Sequence, residues 1–209
     1  MHGWKSGRQQ PGIGSWILAA GYRTAKGKRR ITMQEWKRLK RELVYEGSII
    51  KYYRDTVQVP NGNVVEWDFI GHNGAAAVVP VTEDGKILMV RQYRNALDRM
   101  TLEIPAGGLN GADEPTITAA ARELEEETGY CSKELSFLIS LNTTVAFCNE
   151  KIDVYVARNL TASHQHLDED EFIDVVAMDV EELTKMIYEG KLMDSKTVAA
   201  ILAYRSRYC

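Results

Sequence analysis

The chain has 209 residues, 44% hydrophobic and 26% charged, with a formal net charge of −3. That is enough for one compact domain with a real core. No apolar run approaches the roughly 18 to 20 residues that a membrane span requires, and three cysteines without metal-like spacing fit a reducing cytoplasm better than secretion.

Charge is uneven along the chain. Residues 1–32 hold seven basic residues, no acidic ones and six of the sixteen glycines, which leaves −10 for the rest. This composition predicts a disordered basic arm, or a natural start at Met33. A basic tail on an acidic body is a weak sign of nucleic-acid binding, so none is expected.

From Thr32 a short helical stretch is expected to run through Arg41. Val44 to Ile70 then reads as an antiparallel β meander, turning at Asn61-Gly62-Asn63. Trp67 and Phe69 share a strand face. Ala75 to Val81 and Ile87 to Tyr93 read as strands flanking the turn Glu83-Asp84-Gly85. The second strand ends Arg91-Gln-Tyr-Arg94, whose arginines suit phosphate oxygens. Thr101-Leu-Glu103-Ile-Pro-Ala106-Gly107-Gly108 follows, with small residues that let backbone approach a cation.

The next stretch predicts a bounded helix. Asp113 or Glu114 can cap it, Pro115 suits its first turn, and Gly129 falls where a left-handed cap belongs. Its buried side is expected to be Ile117, Ala120, Ala121 and Leu124. Glu123, Glu126 and Glu127 stand at i, i+3 and i+4, so three carboxylates share one face and repel each other. An all-oxygen cluster beside glycine-rich backbone suits a hard divalent cation, Mg2+ or Mn2+.

After this helix come strands at Leu135 to Leu141 and Lys151 to Ala157, with a loop between them. An acidic loop, His164 to Glu171, leads to a strand at Phe172 to Met178. Two helices close the chain: Val180 to Glu189, capped by Asp179 and ended by Gly190, and a second from Asp194 to about Arg207. The apolar stripe of the last helix is Val198, Ile201, Leu202 and Tyr204.

Glycine, five residues, glutamate, seven residues, then Arg122-Glu-Leu-x-Glu-Glu-x-Gly129-Tyr130 resembles, at every fixed position, the signature of the Nudix hydrolases. With Arg-Gln-Tyr-Arg and Leu-Glu-Ile-Pro-Ala-Gly upstream, the chain looks like the ADP-ribose pyrophosphatase branch. The resemblance implies an α+β fold: a Nudix-type α/β/α sandwich with a mixed sheet at 73–209, preceded by the meander at 33–72. It implies hydrolysis of ADP-ribose, or a related nucleoside diphosphate sugar, to AMP and ribose 5-phosphate.

The branch also implies roles for residues. The Ala106 carbonyl, Glu123, Glu126 and Glu127 would hold two or more ions, Arg122 would orient the carboxylates, Arg94 would contact phosphate, and Glu103 would line the site. The loop before the last strand implies Glu169 as general base and Glu171 as a further metal ligand, with a two-residue uncertainty of register. Branch members form homodimers whose N-terminal strands wall the nucleotide site, which makes Trp67 a stacking candidate. The branch carries a proline in the loop where this chain has Thr144-Val145-Ala146. That departure keeps other nucleoside diphosphate derivatives open beside ADP-ribose. A non-catalytic ligand-sensing domain is a further alternative, and an isoprenoid-diphosphate isomerase finds no matching machinery.

Overall fold

The computed structural model describes residues 35–48, 50–111, 113–167, 169 and 171–209. The expected basic arm at 1–32 lies outside them. Trp36–Cys209 forms one unit.

Three strands come first: β1 (Lys37–Glu46), β2 (Lys51–Gln58) and β3 (Val64–Gly71), paired antiparallel in the order β1-β2-β3. Gly62, at φ +90°, makes the expected turn between β2 and β3. The helix expected up to Arg41 is a strand instead where it is described. Lys- and Arg-rich sequence favours helix locally, but β1 pairs with β2 from Lys37↔Gln58 to Glu46↔Lys51. Arg41 adds a bidentate ion pair to Asp55, at 2.6 and 2.5 Å, and stacks 3.5 Å over the Phe69 ring. Tertiary pairing overrides the local preference.

The second part of the chain begins with β4 (Ala75–Pro80), β5 (Ile87–Arg94), β6 (Arg99–Glu103) and β7 (Ala106–Gly108). Helix α1 (Thr116–Thr128) follows, then β8 (Tyr130–Cys131), β9 (Glu134–Asn142), β10 (Lys151–Arg158), β11 (Thr161–Ala162) and β12 (Ile173–Met178). Helices α2 (Val180–Tyr188) and α3 (Ser195–Tyr208) end the chain. The central sheet has the order β7-β4-β10-β9 and is mixed, because β4 and β10 run parallel. A second sheet has the order β12-β5-β6, and a two-stranded ladder joins β8 to β11.

Alternation along β4 and β10 divides the core into two layers. Ala75, Ala77, Val79, Ile152, Val154 and Val156 pack with Leu183 of α2 and with Ala200, Ile201 and Tyr204 of α3. Ala76 and Tyr155 pack with Ala119 and Ala120 of α1, while Val78 and Ala157 enclose Leu124. One sheet thus carries α1 on one face and α2 and α3 on the other, which is the expected sandwich. On α3 the buried positions are Thr197, Ala200, Ile201 and Tyr204, with Val198 and Leu202 half-buried.

Two expectations about α1 are corrected. Its N-cap is Pro115, without a side-chain cap bond, and the Thr116 hydroxyl reaches across to Asp153 of β10 at 3.0 Å. Glu114 does not cap; it accepts from the Asn110 amide at 2.5 Å and steadies the loop. The buried side consists of Ala119, Ala120, Glu123, Leu124, Glu127 and Thr128, while Ile117 is exposed. Two glutamates therefore face inward. Gly129 caps the end at φ +71°, as its place in the sequence predicts.

Candidate active site

The inward turn of the glutamates depends on β7. Pairing of β4 with β7 sets Gly107 opposite Ala76, whose side chain faces α1. Glu123 lies against Gly107 so closely that a Cβ there would stand 2.1 Å from Oε1. Glycine is required here by space. The Ala106 amide donates to Glu127 Oε2 at 3.1 Å. Glu123 and Glu127 are both buried, whereas Glu126 is partly exposed.

Arg122 neutralises only one side of this cluster. It donates from Nη1 to Glu123 at 2.6 Å and to Glu126 at 2.8 Å, and from Nη2 to the Gly108 carbonyl at 3.0 Å. Its Nε is 3.5 Å from Glu114, an ion-pair distance without a hydrogen bond. Burial opposes the Arg122 charge, but Glu123 and Glu126 outweigh it and raise the pKa. Burial pushes the Glu123 carboxyl up even against Arg122. Glu127 is pushed up to about 8, first by burial and then by the Glu123 charge, with Glu171 adding to it.

Glu171 is therefore close enough to repel both inward carboxylates. The reason lies in how its loop is anchored. The His166 amide donates to the Glu126 carbonyl at 3.0 Å, and Gln165 Nε2 donates to the Glu127 carbonyl at 2.7 Å. These bonds use orphan carbonyls at the end of α1. Glu169 is exposed on the same loop. Asp168 and Asp170 lie outside the described residues.

The phosphate-binding candidates sit across the cleft. Arg94 grips Glu103 through Nε at 2.8 Å and Nη2 at 2.7 Å. Glu103 is buried and also accepts from Thr101 at 2.6 Å and from Lys196 of α3. Burial alone would raise the Glu103 carboxyl, but Arg94, Lys196 and Thr101 together hold it at about 2. Arg91 is exposed, and lines a groove of about 1000 Å³ together with Arg94. A smaller cavity of about 290 Å³ lies on Ala106, Gly107 and Gly108, with His72, Thr143 and Glu150 on its far wall. Trp67 lies away from these groups on β3, 48% exposed, with Trp36 at a ring distance of 5.6 Å.

The low Glu103 value has a consequence for stability. A carboxyl held below its ordinary 4.5 stabilises the fold above that pH and loses the contribution as pH falls toward 2. The shift corresponds to on the order of 3 kcal/mol. Urea unfolding should show Glu103→Gln clearly weaker than wild type at neutral pH, with the gap narrowing as pH falls below 4.5 and closing only toward pH 2. A gap that stays constant over that range would show that the Glu103 charge does not stabilise the fold.

The donor set fits a hard cation. It is all oxygen, with Glu123 and Glu127 buried and Arg122 offsetting only part of the negative charge, in a cradle that any side chain at position 107 would fill. Among the described residues no three His, Cys, Asp or Glu side chains are already drawn together around one point. Four participants were not legible as such in the sequence: Gly107 as the wall of Glu123, Gln165 as the loop anchor, Asp153 as the partner of Thr116, and Lys196 on Glu103. Each depends on a contact between elements distant in the chain, and only Gly107 lay within a motif that could have pointed to it.

A sandwich whose inward helix offers carboxylates to a glycine strand defines a hydrolase of diphosphate-type substrates built on the Nudix fold. The chain belongs to the NUDIX family, whose domain matches residues 71–200, and it is a Nudix hydrolase. It is 41% identical to the methanol dehydrogenase activator of Bacillus methanolicus, over 80% of this chain and 91% of that protein. To the ADP-ribose pyrophosphatase of Bacillus subtilis (strain 168) it is 40% identical, with the same coverage. A solved ADP compounds hydrolase superposes with a TM-score of 0.76 at 22% identity, covering 84% of this chain and 95% of that one, and so shares the fold.

Proposed function

We propose that this Nudix hydrolase splits the diphosphate linkage of ADP-ribose, or of a related nucleoside diphosphate sugar, giving AMP and ribose 5-phosphate from ADP-ribose. The observation that carries the reading is the buried pair Glu123 and Glu127 beside the Ala106–Gly108 strand, with Arg94 lining the cavity on that strand and Arg91 the adjoining groove. The pyrophosphatase of Bacillus subtilis, similar over most of its length, supports the substrate class.

Glu123, Glu126, Glu127, Glu171 and the Ala106 carbonyl would hold two or more Mg2+ ions, or Mn2+. Bound divalent cations neutralise diphosphate oxygens and acidify water. Arg122 keeps Glu123 and Glu126 parallel. Arg94 and Arg91 take phosphate oxygens, with the Arg94 fork fixed by Glu103. The general base is Glu169, exposed on the loop that Gln165 ties to α1, and it takes the proton of the attacking water. The enzyme works as a cytoplasmic homodimer, in which the β1–β3 meander at 33–72 supplies the interface and a nucleotide wall, with Trp67 against the base. Exposed Leu39, Leu43, Val44, Tyr45 and Val64 on that meander support an apolar contact there. A fluorescent fusion found outside the cytoplasm would count against the location.

One experiment tests the core of this reading. The purified chain is incubated with ADP-ribose and Mg2+, and products are separated by chromatography. AMP and ribose 5-phosphate should appear, and chelation should stop their formation; undiminished turnover after chelation would refute the metal role. In the same assay Glu169→Gln should lower turnover by roughly 10² to 10⁴ without weakening Mg2+ binding, while Glu171→Gln should weaken Mg2+ binding. The opposite pattern would make Glu171 the base. Sizing the active protein at micromolar concentration should give a dimer; a fully active monomer would rule out the proposed wall.

A second reading, another nucleoside diphosphate derivative in the same chemistry, is favoured by Val145. It stands 80% exposed at the loop tip where the branch carries proline. Turnover confined to a different member of a diphosphate panel would select it.

A further inference from the structure

We propose that Lys196 is a positioning residue for the hydrolase: acting through Glu103, it fixes the guanidinium of Arg94 at the mouth of the cleft. The inference rests on Arg94 gripping substrate phosphate.

Lys196 lies in the first turn of α3, more than ninety residues from Glu103 in sequence, and its side chain is largely buried. Its ammonium reaches Glu103 Oε2, the same oxygen that accepts Arg94 Nη2 at 2.7 Å, and lies 3.0 Å from Asp194 Oδ2. Thr101 and Arg94 Nε take the other Glu103 oxygen. The carboxylate is therefore held by groups from β5, β6 and α3 together. Arg94 and Lys196 face two carboxylates, Glu103 and Asp194, and Lys196 bridges the pair, joining Glu103 Oε2 to Asp194 Oδ2 on the helix side. The second cation makes sense as a brace. With Oε2 shared, Glu103 is pinned from the helix side, and the Arg94 fork is left one orientation.

The position of the brace is also specific. Arg94, Asp194 and Lys196 line both the 290 Å³ cavity on the Ala106–Gly108 strand and the 1000 Å³ groove over β5 and β6. They form the partition between the two. Asp194 is itself fixed, because it accepts from the Thr197 amide at 3.0 Å and the Thr197 hydroxyl at 2.6 Å, and that hydroxyl accepts in turn from the Ile104 amide at 3.0 Å. The chain from α3 to Arg94 is continuous and has no loose member.

Steady-state kinetics with ADP-ribose and Mg2+ tests the proposal. Lys196→Met keeps length and removes the charge; it should raise KM by roughly 10- to 100-fold, the range typical of lost outer-shell partners, with a much smaller change in kcat. Lys196→Arg should restore most of the loss. In an Arg94→Ala background the same Lys196→Met change should cost little, because its effect passes through Arg94. Additive losses, or equal losses in kcat at unchanged KM with a lowered melting temperature, would overturn the proposal and leave Lys196 a structural residue. If Lys196→Met does not fold, Lys196→Gln, which retains a donor for Glu103, carries the same measurements. If Arg94→Ala leaves KM unchanged, the phosphate reading of Arg94 fails and the inference fails with it. A wild type that neither turns over nor binds ADP-ribose would refute the substrate reading first.

Discussion

Glu127→Gln should nearly abolish turnover while making the metal-free protein more stable. Glu127 is buried, accepts a hydrogen bond from the Ala106 amide, and suffers the charges of Glu123 and Glu171. Glutamine preserves volume, helix propensity and an acceptor for that amide. With the Glu127 carboxyl pushed up to about 8, folding at neutral pH must either bury its charge beside Glu123 or take up a proton; glutamine avoids both costs, so the melting temperature should rise. The same charge is needed to bind a cation. Loss of outer-shell partners alone typically costs 10- to 100-fold, so loss of a ligand should exceed roughly 10². Glu126→Gln should also slow the reaction strongly, but with a smaller gain in stability, because Glu126 is partly exposed and paired with Arg122. Calorimetry and initial rates on both variants decide the matter. Wild-type rates would reduce the carboxylate face to an ordinary helix surface, and failure to fold would make it structural.

Gly107→Ala is expected to displace the Glu123 carboxylate and damage the site. The new Cβ would meet Oε1, Cδ and Oε2 of Glu123 at 2.1, 2.3 and 2.5 Å, distances that no packed structure accepts. Glu123 cannot simply move aside, since Arg122 holds it at 2.6 Å and it is buried. Its carboxylate must turn away from the cradle, at an overpacking cost of about 1 to 3 kcal/mol. The rate should fall by roughly 10² or more, as for other displaced ligands and their supports. Gly108→Ala provides the comparison: a Cβ there meets nothing within 4 Å, so its loss should be far smaller. Equal activities for the two alanine variants would show that Glu123 has room, and that the cradle is not what orients it.

The spacing of the box was enough to indicate the helix, its glycine end and the three carboxylates, because helix periodicity and left-handed caps are local physics. The continuous apolar run from Ala75 to Val81 and the segment from Lys151 to Ala157 likewise read as strands. Local preference misled at residues 37–41, where sequence expected to be helical is held as a strand by its pairing with β2. It misled again on α1, where the exposed residue is Ile117 and the buried ones include Glu123 and Glu127. No sequence pattern can foresee a buried glutamate, since burial of a charge depends on what lies opposite. Here that is Gly107, delivered by antiparallel pairing of β7 with β4. The same holds for Lys196 on Glu103 and Gln165 on the end of α1, contacts that exist only once distant segments pack. Residue types and their spacing marked the carboxylate face and the arginines as candidates, and the family resemblance supplied the diphosphate; packing settled which of them face inward, which are held fixed, and by what, because those depend on neighbours far away in the chain.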